Sequence, residues 1–421
     1  MPARSDQTGD AVAAAPARPG LLAATFRAFG YRNFRLLWVG AFTSSTGTWL
    51  QEVAQSWLVY TLTGSTVLLG LTAFLAGAPI LLFSLIGGVV ADRMDRRKVL
   101  LLSQYTQMTS AFVLALLIWT GQVQVWHILV LVFVNGFAQA FGGPAYQALI
   151  PSLVEPQHLS NAIALLSIQF NLARVVGPAL AGLAMTHLGA SACFGLNGLS
   201  FLAVIFSLLT LRIDFVPRKS EEPILTSLRE GLHFVHRHGS MMGLIVLAFA
   251  STGLGIPLIT FLPTFARDVF GLGPQGYSMM LSASGAGAVL GALVVAWLGH
   301  IARKGRAALL MLVALGLCVA GFSRAPNYMV SCLFLFLGGV ALISVFALIS
   351  SLVQLLAPDE LRGRIVSVYN VAFRGGMPLG NLATGFLARV LTPQAALLGN
   401  GALLAVIGLY FLFVEKRVRR L

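Results

Sequence analysis

Twelve apolar runs, each about as long as a membrane is thick, alternate with polar breaks along this chain of 421 residues. A helix needs roughly 20 apolar residues to cross the hydrocarbon layer. In the first half the runs fall at about 36–62, 67–91, 99–120, 125–148, 160–185 and 191–212. In the second half they fall at about 241–267, 276–299, 307–323, 328–352, 364–388 and 393–414. They are too long for strands and lack the in-out alternation of an outer-membrane barrel. The pattern predicts an all-α polytopic membrane protein with twelve transmembrane helices in two six-helix bundles.

Composition agrees. Charged residues make up 10% of the chain, and the mean hydropathy is +0.85. Soluble domains carry roughly 25% charged residues. The net charge of +14 raises the question of nucleic acid, but the positions of the charges answer it. Twenty-three of the 28 basic residues precede the first run, close the chain, or sit in alternate breaks that share one face. Only Arg267, Arg324 and Arg389 lie at the opposite ends. The positive-inside rule then puts both termini in the cytoplasm, so the basicity is topological and no nucleic-acid partner is expected.

The longest polar break, near 213–240, divides the chain. It implies a cytoplasmic tail over 1–35, a first bundle over 36–212, a central loop over 213–240, a second bundle over 241–414 and a basic tail over 415–421. Residues 1–25 have no apolar core of the signal-peptide kind and read as a disordered tail. Phe26 to Arg32 reads equally well as an interfacial segment or a solvated linker. A weak repeat supports the division: Pro156-x-x-Leu159 precedes the fifth run, and Pro358-x-x-Leu361 precedes the eleventh. In the central loop, Leu228, Leu232 and Val235 are spaced to line one face of a short amphipathic helix. The nearby His233, His236 and His238 make a poor metal site, and no metal or cofactor is expected. Cys193, Cys318 and Cys332 lie in apolar runs and read as packing residues.

The break after the second run reads Asp92-Arg93-Met94-Asp95-Arg96-Arg97-Lys98, with Gly88 ahead of it. This resembles motif A of the major facilitator superfamily, a large class of secondary transporters. The resemblance implies a gating role for Gly88, Asp92, Arg93 and Arg96. Gly88 would let helices approach closely, Asp92 would accept from a helix N-terminus, and Arg93 or Arg96 would pair with Asp359 or Glu360 across a cytoplasmic gap. Asp95 stands where many members of the superfamily have glycine. Gly177-Pro178-Ala179-Leu180-Ala181-Gly182 resembles the antiporter motif, with Gly177, Pro178 and Gly182 in register and Ala181 replacing a glycine. The fourth run lacks the arginine that many drug–proton antiporters carry. The segments Tyr31 to Trp38 and Trp57 to Ser65 resemble the drug/proton antiporter branch that includes macrolide efflux proteins and the enterobactin exporter.

Glu52 is the one carboxylate deep inside a run. Acidic groups in a bilayer are costly and usually serve proton relays or substrate contacts. Ser45, Thr48, Glu52 and Gln55 recur at helical spacing, so they form one polar stripe. Two readings stay open: a proton-coupling group, or the permanent counter-ion of a buried arginine. Arg174 and Arg374 are the mid-span basic residues, and Arg374 shares a face with Asn370 and Asn381. Gln55, Asn135, Gln139, Asn370 and Arg374 are the substrate-cavity candidates, with Thr252 and Gly255 as further polar or flexible positions. Trp57 and Phe261 are the aromatic candidates; Arg174 is a buried charge, and either it or Arg374 would pair with Glu52, bind an anionic substrate or snorkel to an interface.

No nucleotide-binding loop, catalytic constellation or pore-lining charge ring is present, which disfavours a pump, an enzyme and a channel. The expected function is export of an amphipathic drug or siderophore by proton antiport, from a monomer in the bacterial inner membrane. The alternatives are proton-coupled uptake, facilitated diffusion of a metabolite, or a non-transporting receptor on the same fold.

Overall fold

A computed structural model describes residues 26–211, 224–297 and 303–421. The tail over 1–25 and the start of the central loop over 212–223 lie outside it, as do the ends of the spans expected at 191–212 and 276–299. The described residues form helices and no strand. We number the principal helices α1 (Arg32–Thr63), α2 (Thr66–Arg93), α3 (Arg96–Trp119), α4 (Val125–Leu149), α5 (Leu159–His187) and α6 (Ala190–Thr210). There follow α7 (Ile224–Arg237), α8 (Gly239–Gly255), α9 (Pro274–Trp297), α10 (Lys304–Ser323), α11 (Tyr328–Leu356), α12 (Arg362–Val390) and α13 (Pro393–Phe413).

Ten described helical segments are long and apolar enough to cross a membrane. Two of the twelve expected spans, α1 and α12, are not among them. Their lengths, 32 and 29 residues, are ample. Their polar residues set them apart: the Glu52 stripe on α1, and Arg362, Arg364, Asn370, Arg374, Asn381 and Arg389 on α12.

Helix ends follow local chemistry. Gly64 closes α1 in the left-handed conformation at φ 59°, which costs glycine little. Ser65, Asp95, Asn327 and Thr392 cap α2, α3, α11 and α13, each side chain accepting from a backbone N–H of the first turn. Asp95 therefore replaces the motif glycine without strain: it sits at φ −58° and accepts from Arg97 N at 3.0 Å.

The run expected at 241–267 is not one continuous helix. After Gly255 it passes through short turns at Pro257–Thr260 and Leu262–Thr264 and ends in a π-helical turn, Phe265–Val269. Pro257 and Pro263 lack the N–H that would continue the ladder. The expected stripe on α7 holds only in part: Val235 is buried but Leu232 is exposed. The Leu228 side chain lies outside the described residues. α7 is tied to the start of α12 by the Glu230–Arg364 ion pair.

Within the first half, α1 packs on α5 and α6, α2 on α4, and α3 on α4 and α6; within the second, α9 and α10 pack on α11, α10 on α13, and α8 on α12. The halves meet along α2 against α12 and α5 against α9. The repeated Pro-x-x-Leu segments lead directly into α5 and α12, one member of each crossing pair. The N-terminal segment is held to the first half. Its 3-10 turn Arg27–Gly30 is clamped to the first half by Ala28 N–H donating to Asn161 Oδ1 at 2.9 Å and by a 2.8 Å hydrogen bond between Tyr31 Oη and His158 Nδ1.

Candidate functional site

Helical periodicity gives α1 two faces. Gly47, Gln51 and Ala54 turn toward protein and are buried, with Gln51 accepting from Asn197 of α6 at 2.7 Å. Ser45, Thr48, Trp49, Glu52, Gln55 and Ser56 keep some accessibility. Glu52 is solvent-accessible although groups of other helices lie near it, so it faces open space between helices rather than packed core. Two groups from other helices act on it electrostatically: Arg174 of α5 and Tyr277 of α9. Arg174, and not Arg374, is therefore the arginine beside Glu52.

Arg174 is half-buried and lies over the Trp49 ring, with Cζ 5.8 Å from the centroid. Glu52 and Arg174 do not close to a salt bridge, so both charges stay available to a third group. The surrounding wall is aromatic. Trp49 meets Phe170 at 6.2 Å, and Trp57 stacks on Tyr277 at 5.9 Å and 19° across the two halves.

At one end, opposite the basic face, the halves are sealed. Tyr60 Oη at the end of α1 donates to the Asp268 carboxylate in the π-helical turn, and Arg267 Cζ sits 5.9 Å from the Tyr60 ring centroid. Thr66 Oγ1 donates to the Gly385 carbonyl at 3.1 Å. Gly70 presses on the Asn381 backbone, where an added Cβ would stand 2.5 Å from the carbonyl oxygen. Gly182 lies against the Ser278 side chain of α9. Leu50, Val53, Ala54 and Val59 share one buried core with Leu258, Leu262, Phe265 and Tyr277.

At the basic face the described contacts hold each half to itself. A separate core there draws only on residues between Ala28 and Leu211. The motif A arginines bind the carbonyl ends of helices: Arg96 Nη1 donates to Ala148 O of α4 at 2.8 Å, and Arg97 Nη2 to Leu209 O of α6 at 2.6 Å. Cations at helix C-termini are favoured by the exposed carbonyls and the dipole. Asp92 lies 3.8 Å from Arg96 rather than at a helix N-terminus, and Asp359 pairs with Arg362 one turn along its own segment rather than with Arg93 or Arg96. Arg93 is exposed. The close helix approach expected at Gly88 belongs to its neighbour: a Cβ on Gly88 would meet nothing within 4 Å, whereas Gly87 is pressed against Ala140 of α4.

Gly177 lets α5 lie against Trp49 and Thr46 of α1, and Pro178 is buried beside it. Arg374 and Asn370 are exposed on α12, whereas Asn381 on the same face is fully buried with neither amide atom hydrogen-bonded. Gln55 and Asn135 are half-buried, and Gln139 is exposed. None of these five cavity candidates is hydrogen-bonded to or ion-paired with Glu52. Thr252, Gly255 and Phe261 are buried: Thr252 lies against Gly376, Gly255 against Leu315 and Leu342, and Phe261 with Tyr60 and Leu69. They do not line an open cavity in this state. Sequence reasoning did not single out the Tyr60–Asp268 contact or Tyr277, because nothing local marks them.

A protein-family model described as transmembrane secretion effector matches residues 23–420. The chain belongs to this family. It is a major facilitator transporter of the bacterial inner membrane, related to the enterobactin exporter branch, and not an enzyme. The enterobactin exporter of Shigella boydii serotype 4 (strain Sb227) is 28% identical over 389 residues, 92% of each chain. That of Escherichia coli O139:H28 (strain E24377A / ETEC) is equally similar.

Among solved structures, a variant of the nucleoside transporter NupG superposes with a TM-score of 0.76 at 16% identity, over 90% of this chain and 99% of that one. A bacterial homolog of the human lysosomal transporter Spinster, solved in an inward-facing and unoccupied conformation, gives 0.72 at 14% identity, over 92% of this chain and 98% of that one. At these identities the likeness is one of fold alone.

Proposed function

We propose that this protein is a secondary active exporter that moves an amphipathic small molecule, a drug or siderophore, out of the cell in exchange for protons. The observation that carries the reading is the combination of Glu52 facing open space between helices and a seal at one end only. Taking the basic face as cytoplasmic, with both termini there, the seal is on the outer side and the open space is the cavity of an inward-facing state.

Transport then proceeds by alternating access. The two six-helix bundles, 36–212 and 241–414, rock about the α2–α12 and α5–α9 contacts, joined by the central loop over 213–240. Opening outward requires Tyr60 to leave Asp268 and the Trp57–Tyr277 stack to part. Gly88, Asp92, Arg93 and Arg96 then meet the second bundle as the cytoplasmic side closes, and the open space at Gly88 is where that contact forms. Gly177, Pro178 and Gly182 supply the small surfaces that let α5 turn against α1 and α9.

In this cycle Glu52 takes a proton from outside, releases substrate outward, and gives the proton to the cytoplasm. Arg174 lies beside it, while Gln55, Asn135, Gln139, Asn370 and Arg374 are the further cavity groups assigned to substrate. The working unit is a monomer. The deciding experiment is substrate-induced proton movement in proteoliposomes, with lipophilic cations, a macrolide and a catecholate siderophore. Proton flux opposite to substrate supports the reading; substrate movement with no proton flux returns the function to facilitated diffusion.

A further inference from the structure

On the reading of this cavity as the transport site, we infer that substrate charge sets the sign of proton coupling: an amphipathic aromatic cation exchanges with the proton, whereas an anion of the same shape carries the proton with it.

The geometry behind this is the open pair. Glu52 faces the cavity, Arg174 reaches it from α5 while lying over Trp49, and no salt bridge consumes either charge. The ionisable groups that face Glu52 are Arg174 from α5 and Tyr277 from α9. Along the other side of α1, α6 brings no charged residue and only Cys193 as an ionisable one. On α4 the ionisable residues are His127 and Tyr146, near the two ends of the helix, and on α2 they are Asp92 and Arg93 at its last turn. Near the substrate, proton exchange therefore centres on one carboxylate.

A cation seated between that carboxylate and the Trp49, Trp57 and Tyr277 rings draws on charge attraction and on the ring faces. A proton on Glu52 removes the first contribution, so cation and proton exclude one another. An anion on the Arg174 guanidinium does the reverse. It competes with ionised Glu52 for the same positive charge and is repelled by it, and a proton on Glu52 relieves both effects. Linkage is reciprocal, so an anion that binds better with the proton present also makes the proton bind better. Of the substrate classes proposed above, antiport through this site then admits amphipathic cations and excludes anionic chelators.

Tetraphenylphosphonium and tetraphenylborate match in shape and differ in charge, so they isolate the effect. Their binding to the purified full-length protein is followed by quenching of tryptophan fluorescence, with protein-free micelles subtracted. As pH falls through the titration of Glu52, the phosphonium should weaken by up to about tenfold per pH unit. The borate should tighten over the same interval, and both dependences should vanish in Glu52→Gln. Arg174→Gln should abolish the tightening of the borate. Slopes of the same sign, slopes that persist in Glu52→Gln, or no binding of either probe would overturn the inference. If the Glu52 variant does not fold, the two wild-type slopes decide alone. Opposite slopes without proton flux in proteoliposomes would refute proton-coupled transport and leave only the opposite proton dependence of cation and anion binding.

Discussion

Replacing Tyr60 with phenylalanine removes one oxygen atom and, with it, the hydrogen bond to Asp268 that joins the end of α1 to the broken end of α8. The ring stays, so its packing with Leu69 and Phe261 and its contact with Arg267 survive. A hydrogen bond to a charged group is worth about 1.5–3 kcal/mol. Asp268 is half exposed, with a side-chain exposure of 52%, so water replaces part of the loss and the lower end of that range applies. About 1.4 kcal/mol is a factor of ten in an equilibrium. Tyr60→Phe should therefore shift the balance from the sealed toward the outward-open state by up to about tenfold, without unfolding the protein.

The assay is a pair of spin labels across the seal, at Leu62 on α1 and Gln275 on α9, in a background without Cys193, Cys318 and Cys332. The distance distribution should gain a longer population in Tyr60→Phe. Asp268→Ala should produce a similar change, and the double variant should add little, because both remove one interaction. An unchanged distribution in a correctly folded Tyr60→Phe would refute the idea that this contact holds the seal.

Other expectations concern the cavity, the crossing helices and the loop. Glu52→Gln should abolish proton-driven exchange while leaving membrane insertion intact; full exchange in proteoliposomes would remove Glu52 from the mechanism. Gly70→Leu forces a side chain against the Asn381 carbonyl, so thermal unfolding should show a loss of about 1–3 kcal/mol, and an unchanged melt would mean that α2 and α12 are not tightly apposed. Asp95→Ala removes the cap of α3 and should cost about 1 kcal/mol, with Asp95→Asn close to wild type; equal melts for the two variants would count against capping. Asp92→Asn should slow turnover more than it weakens substrate binding, and kinetics showing only an affinity defect would count against gating.

Several features were legible in the sequence because they are local or additive. Run length and apolarity fix which segments become long helices, and the basic residues gather in alternate breaks whichever way the helices pack. Helical spacing alone puts Ser45, Thr48, Glu52 and Gln55 on one stripe, and all four keep some accessibility.

Which face of one helix meets which face of another was decided only in three dimensions. Arg174 and Arg374 are chemically the same, and only packing of α5 on α1 puts the first beside Glu52. Tyr60 and Asp268 lie 208 residues apart, and neither carries a local mark of the other. Gly87 and Gly88 are adjacent, but one step along a helix turns a residue by about 100°, so one faces α4 and the other open space. Thr252, Gly255 and Phe261 looked equally fit to line a cavity, yet packing against α10, α11, α12 and the end of α1 puts them in the core. Periodicity states which residues travel together on a face; the close approach of distant backbones decides where that face points.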